Sequence, residues 1–379
     1  MTTLINKSLI VNGQTIVSQP DWNAELATKR AQVIEWLQQR ELHGLLLRRN
    51  ENIAWITGGS VELRVLTPCE TGVAAILITS TGKGYYFTTN NEAPRLHDEE
   101  FGALDLEPVI FPWYEDATDD AARDLAGPHI AADTAVPGAA PAHLFPLRAS
   151  LQPTEIARFR WLGSHTATAT AQVLKTLKPG LTEYEMEGRI ADALLSQGIL
   201  PSVYLMAADE RILNYKHAVA RGKAIEKYAM LNLCARKWGL TVSITRFAHV
   251  GPVTADLQAK FNASAAVNDA LLDASRVGAT SAHLFKTAAN AYAAAGFPGD
   301  EQLHHQGGPT GYGEREWVAT PEGTDVIVNR QALAWNPSIR GGKVEDTAIL
   351  IDGAIEILTP TPDLPQLNSR YPAAGVLEL

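Results

Sequence analysis

The residues best suited to chemistry lie in the second half of the chain. His217 ends the segment Leu213-Asn-Tyr-Lys-His217, and His304-His305 precede a glycine-rich run, Gly307-Gly308-Pro309-Thr310-Gly311. An imidazole titrates near neutrality, so it can take a proton from water and return it to a leaving nitrogen. Arg315-Glu316 and Lys343-Val-Glu345-Asp346-Thr347 follow, with Arg246 upstream. A carboxylate at Glu316 or Glu345 could hold a guanidinium or ammonium group through charge-assisted hydrogen bonds, and Arg246 or Arg315 could bind a substrate carboxylate. Tyr312 and Trp335 could form walls or a cation-π face. Such a set suits a small, polar, zwitterionic substrate. Each residue also has a plain structural use. A loop histidine is usually a surface or hydrogen-bonded one, Trp335 reads as core, Arg315 and Glu316 can pair with the scaffold, and Asp346 reads as structural. Glu345 falls on an expected strand, where an unpaired carboxylate is expensive to bury, and this favours a pocket position.

The elements around these residues follow from periodicity and turn signals. Thr154 to Leu177 and Thr182 to Gln197 read as helices, the second opened by a capping box of Thr182 and Glu185. Tyr228 to Ala235 and Thr241 to Phe247 are apolar runs split by Lys237-Trp238-Gly239, a hairpin signal. Helical patterns return at Ala255 to Ser275 and Ser281 to Ala295, and Gln331 to Asn336 and Ala348 to Ile351 read as strands. Upstream, helix and strand patterns alternate: a helix at Trp22 to Gln39, strands at Leu45 to Leu47, Val73 to Thr79, Tyr85 to Thr88 and Leu106 to Ile110, and a helix at Glu92 to Phe101. An Ala- and Pro-rich stretch between Gly127 and Pro153 marks a boundary, so the expected domains are 1–150 and 151–379.

The 379 residues exceed what one hydrophobic core usually organises, and 46% hydrophobic with 20% charged residues is ordinary for a globular protein. A formal charge of -10 disfavours nucleic acid and anionic membranes as partners. Cys69 and Cys234 have no metal-ligand spacing and suggest no disulfide framework; Cys234 reads as a small buried residue. Met1 to Ile16 contains no signal-like apolar stretch, and no segment is long enough to span a bilayer, which points to a cytoplasmic protein.

Four landmarks occur in the order found in the pita-bread family of creatinase, prolidase, aminopeptidase P and methionine aminopeptidase. Leu177-Lys-Pro-Gly180 with Leu181-Thr-Glu183 resembles that family's helix-turn-helix junction. Tyr228 to Arg236 with Leu240 to Phe247, containing Ile244-Thr-Arg246, resembles its ligand-bearing hairpin. Gly307 to Glu316 resembles its Gly-His-Gly-Ile-Gly segment, and Lys343-Val-Glu-Asp-Thr347 its terminal strand. Asn52-Ile-Ala-Trp-Ile-Thr-Gly58 is a weaker match in the first domain. The resemblance implies an α/β (α+β) fold: an N-terminal creatinase/prolidase-like domain followed by a C-terminal pita-bread domain.

The resemblance also locates the family's two-metal site, and most of its ligand types are missing. Asn232 and, eleven residues on, Ser243 stand at the two Asp positions, Gly308 at the His position and Asn336 at the first Glu position; Glu345 alone is an expected ligand. Arg315 stands at the position of a second His. One carboxylate and several neutral groups cannot hold two divalent cations close together, so no metal is expected there. Creatinase, the family's metal-free member, uses a histidine as general base and acid. His217, fifteen residues before Asn232, is similarly placed.

The expectation is therefore a metal-independent enzyme acting on a C–N bond of a small polar substrate. His217, Glu345 and Glu316 are its catalytic candidates. Asn232, Ser243, Arg246, His304, His305, Tyr312, Arg315, Trp335 and Asn336 are its substrate-binding candidates. One alternative is an Xaa-Pro peptidase with a single divalent transition metal on a rearranged set such as Glu316, Glu345 and His304 or His305. Another is a non-catalytic module that binds peptide in the old cleft. A homodimer is implied by the resemblance alone, in which Arg64 or Arg95 could reach a partner's site.

Overall fold

The computed structural model describes residues 8–67 and 69–379; part of the N-terminal stretch read for a targeting signal, residues 1–7, lies outside them. Two compact units divide between Arg158 and Phe159, inside the helix Pro153–Leu174. Among the described residues no helix is long and apolar enough to cross a membrane.

The first unit is built on a six-stranded sheet in the order Glu107–Phe111, Gly84–Thr89, Thr71–Thr79, Gly44–Arg49, Ile130–Ala132, Ala140–Pro141. The hairpin of Thr71–Thr79 with Gly84–Thr89 is antiparallel, as its turn signal predicts. Leu46, Ala75, Leu77, Tyr85 and Phe87 point from these strands into one buried cluster. Glu92 to Phe101 is helical in two segments, a short α-turn at Ala93–Arg95 and a wider π-helix at Leu96–Phe101.

The second unit holds the candidate residues named above. Its central hairpin pairs Tyr228–Lys237 with Leu240–His249 through a two-residue turn, Trp238-Gly239, in which both residues have positive φ. That geometry matches the strand twist, and glycine supplies one of the two left-handed positions without strain. Val376–Glu378 and Leu200–Ala208 flank the hairpin to complete a four-stranded sheet. The strand at Leu200–Ala208 carries no sequence signal because Pro201 and Ser202 break its pattern. It lies at the sheet edge, where a proline need not donate to a ladder.

A second four-stranded sheet runs Gly307–Thr310, Gln331–Trp335, Asp346–Ile351, Ala354–Ile357. The two sheets are joined directly at the site. Ser243 N donates to Thr347 Oγ1 at 2.7 Å, Thr347 Oγ1 donates to Ser243 O at 3.0 Å, and Thr245 N donates to Glu345 O at 3.1 Å. Helix Glu183–Leu195 opens with the expected capping box, Thr182 and Glu185 satisfying each other's backbone N–H groups.

Candidate functional site

Strand register brings the polar residues of the hairpin together. Asn232 faces Thr245 and Cys234 faces Ser243 across the ladder, so alternate side chains project to one face. Glu345 meets that face from the other sheet. Its Oε2 accepts from Thr245 Oγ1 at 2.6 Å, Lys343 Nζ at 2.8 Å and Asn232 Nδ2 at 3.0 Å. Its Oε1 accepts from Arg315 Nη2 at 3.0 Å, while Arg315 Nη1 donates to Ser243 Oγ at 2.9 Å. Burial alone would raise the Glu345 carboxyl; Lys343 and Arg315 overcome it and hold the group at about 2. Cys234, against Ser243 Oγ at 3.3 Å, is pushed up to about 11 by burial and stays a neutral thiol.

Lys343 and Thr245 received no role from sequence, and both are partners of the central carboxylate. The signal for Lys343 was its spacing: two residues before Glu345 in extended chain, it projects to the same side.

The histidines form a second cluster beside the first. His217 Nε2 and His304 Nε2 are 2.9 Å apart, so one donates and the other accepts. His304 and His305 stack at 4.3 Å between ring centroids, and His217 lies 5.8 Å from His305. Burial holds all three below the ordinary 6.5, His304 at about 2 and His305 at about 4. Lys343 and Arg315 push His217 further down, against Glu345. All three imidazoles are thus kept neutral. The His217 loop is anchored by buried or turned carboxylates. Asp209 accepts the N–H groups of Glu226, Lys227 and Tyr228 at 2.8 to 2.9 Å, and Glu183 accepts those of Ala208 at 3.1 Å and Arg221 at 2.7 Å.

Other candidates are placed elsewhere. Arg246, 2% exposed, turns to the opposite face of the sheet, where it pairs with Asp346 at 2.6 Å and donates to Thr359 O, Thr361 Oγ1 and Thr245 O. Its guanidinium is committed to the scaffold. Glu316 Oε1 accepts the N–H groups of Tyr312 and Gly313 at 3.2 Å each, which closes the turn after the glycine-rich strand. Tyr312 is 1% exposed, and Trp335 is buried with its Nε1 donating to Ser275 Oγ at 3.0 Å. Asn336 is tied by its backbone to Gln306 O at 3.0 Å, and its buried Oδ1 has no protein partner among the described residues.

These positions do not fit the family's pair of divalent ions. One carboxylate is already matched by two side-chain cations, Asn232 donates to it, and Ser243 accepts from one of those cations, Arg315. Gly308 has no room for a side chain of any kind: a Cβ there would stand 2.1 Å from Trp317 O and 3.1 Å from its carbonyl carbon. Gly308→Ala is expected to cost about 1–3 kcal/mol through forced backbone movement, measured by chemical denaturation; an unchanged midpoint would show that the strand yields freely. The three imidazoles present one donor atom each within 4.8 Å of one another. Among the described residues no carboxylate joins that set, and the neighbouring Lys343 and Arg315 oppose a further positive charge.

Among curated protein sequences none matches the chain. Its fold is shared with the prolidase of Pyrococcus horikoshii (TM-score 0.73, 18% identity, covering 88% of this chain and 98% of that one). The Xaa-Pro dipeptidase of Bacillus anthracis has it too (TM-score 0.70, 17% identity, 93% and 100% covered). So does the N-terminal domain of a FACT complex subunit from Cicer arietinum (TM-score 0.65, 12% identity, 89% and 96% covered). The expected α/β fold with a C-terminal pita-bread domain is therefore present. The sequence profile of metallopeptidase family M24 matches residues 157–351, just over half of the chain; the chain belongs to this family.

Proposed function

We propose that the chain hydrolyses a C–N bond of a small polar substrate without a metal pair, His217 taking a proton from water and returning it to the leaving nitrogen. The observation that carries this reading is the Lys343–Glu345–Arg315 arrangement, which fills the carboxylate site with side-chain cations and leaves neutral histidines beside it. The reaction class draws support from family membership and from the prolidase and Xaa-Pro dipeptidase names of the structural relatives. In this reading Asn232 and Thr245 fix the Glu345 carboxylate, and Glu345 in turn fixes Arg315 and Lys343. Homodimerisation belongs to the same reading and is checked by sedimentation.

A second reading, favoured by the spacing of the three imidazole donors, is Xaa-Pro hydrolysis with one divalent transition ion. Elemental mass spectrometry on protein purified without chelator or histidine tag separates the two. The first predicts far less than one transition metal per chain and turnover indifferent to EDTA. About one ion per chain, with EDTA-sensitive release from Xaa-Pro peptides, would replace it by the second. Absence of turnover on amide, amidino and guanidino substrates, with saturable peptide binding, would favour the non-catalytic module.

A further inference from the structure

A cleft next to His217 has a composition that the functional reading does not use. Its volume is about 150 Å³, and it is lined by the segment Ile212–Lys216, by Met230 and Phe247 of the hairpin, by Leu303, and by Ser338–Lys343. The floor is apolar: Ile212, Met230, Phe247 and Ile339 are all buried. Lys216, Arg340 and Lys343 are cationic, and among the described residues no aspartate or glutamate lines the cleft.

Two of those cations lack an anionic partner. Lys216 Nζ is held by Ser338 O at 2.8 Å and Ser338 Oγ at 3.1 Å, both neutral. Asp300 acts on Lys216 through space without forming an ion pair. Arg340 is exposed and makes no salt bridge among the described residues. Lys343 is already neutralised by Glu345. The wall is firm. Gly341 has φ +91, a left-handed position suited to glycine, and its carbonyl accepts from Tyr228 Oη at 2.7 Å. A Cβ at Gly341 would meet Leu213 Cδ2 at 2.7 Å, so the wall residue is as small as the cleft demands.

We infer that this cleft binds a small monocarboxylate, its charge between Lys216 and Arg340 and its apolar body on Met230 and Phe247. Size sets the body. An open cleft of about 150 Å³ has room for about one benzene-sized group over its apolar floor, so the ligand carries a single ring or a short branched chain. Unpaired cations over an apolar floor favour a carboxylate with a hydrophobic tail over a bare anion, because the tail removes apolar surface from water while the charge is met. The inference deepens the functional reading, since Lys216 immediately precedes His217 and the carboxylate would mark the acidic end of the substrate.

Isothermal titration of the full chain with benzoate, benzamide and sulfate at fixed ionic strength tests it without reference to turnover. Saturable binding of one benzoate per chain is expected, with benzamide and sulfate each weaker by at least about tenfold. Lys216→Met and Arg340→Gln should each weaken benzoate by about tenfold; Arg340 is exposed, so its variant tests the site even where Lys216→Met misfolds. No saturable benzoate binding, benzamide binding equal to benzoate, or affinity unchanged in Arg340→Gln would each overturn the carboxylate site. Sulfate binding as tightly as benzoate would overturn the role of the apolar floor. Since only binding is read, a negative result here leaves the C–N hydrolase reading to its own test, and a positive one does not depend on it.

Discussion

Replacing His217 by alanine is expected to lower turnover by about 10²–10⁴-fold, the usual worth of a positioned general acid–base group, with the fold left in place. The loop that carries it is held at both ends by Asp209 and Glu183, and His217 itself is exposed, so truncation removes little packing. The partial desolvation of the ring on its inner side, then Lys343, lowers its proton affinity, with Glu345 opposing and Arg315 adding to the effect. The ring is therefore neutral and able to accept a proton at pH 7. The acid limb of the rate profile should lie below pH 6.5, the ordinary value for histidine. Its partner His304 stays neutral to about 2 and cannot compete for that proton. Undiminished turnover by His217→Ala on a substrate cleaved by the parent protein would end the proposal.

Glu345→Ala is the second large effect, and it acts on stability. The carboxylate is the shared partner of Lys343 and Arg315, whose side chains are 8% and 14% exposed. Removing it strands two nearly buried cations, a change that typically costs about 3–5 kcal/mol, measured as a shift in the denaturant midpoint. The double variant Glu345→Ala with Lys343→Met should recover part of that loss, because one stranded charge goes with its partner. Equal stability of Glu345→Ala and the parent would mean that water, not Glu345, meets those charges. The sign with pH follows from a carboxyl held at about 2 against its ordinary 4.5. The unfolded chain binds the proton first as pH falls, so this stabilisation is complete above 4.5 and is lost progressively towards 2.

Periodicity and turn chemistry make much of the fold legible in the sequence. The hairpin around Trp238-Gly239 and the capped helix after Thr182 each rest on a local rule that nothing tertiary opposes. The strand Leu200–Ala208 was not legible, because its place at a sheet edge is what permits Pro201, and edges are set by the whole topology. The neighbourhood of the site could be read from landmark order, which placed Asn232, Ser243, Arg315 and Glu345 in one region. Side-chain direction could not. Arg246 follows Thr245 and Asp346 follows Glu345 by one position, and that single step in a strand carries them to the far face. Glu316 and Arg315 are neighbours too, yet one closes a turn and the other reaches Ser243 and Glu345. The cleft beside Lys216 was the least accessible, since its walls come from four separate stretches of chain.

The contact between Gly308 and the Trp317 carbonyl sets position 308 apart from the other positions that the family resemblance marks. At Asn232 and Ser243 the side chain already points at the site, so an acid there would need no new backbone path. Position 308 differs, for the neighbouring backbone occupies the volume that the first carbon of any side chain requires. Acids placed at 232 and 243 would therefore still face a position 308 without a side chain, unless the segment around Trp317 moved first.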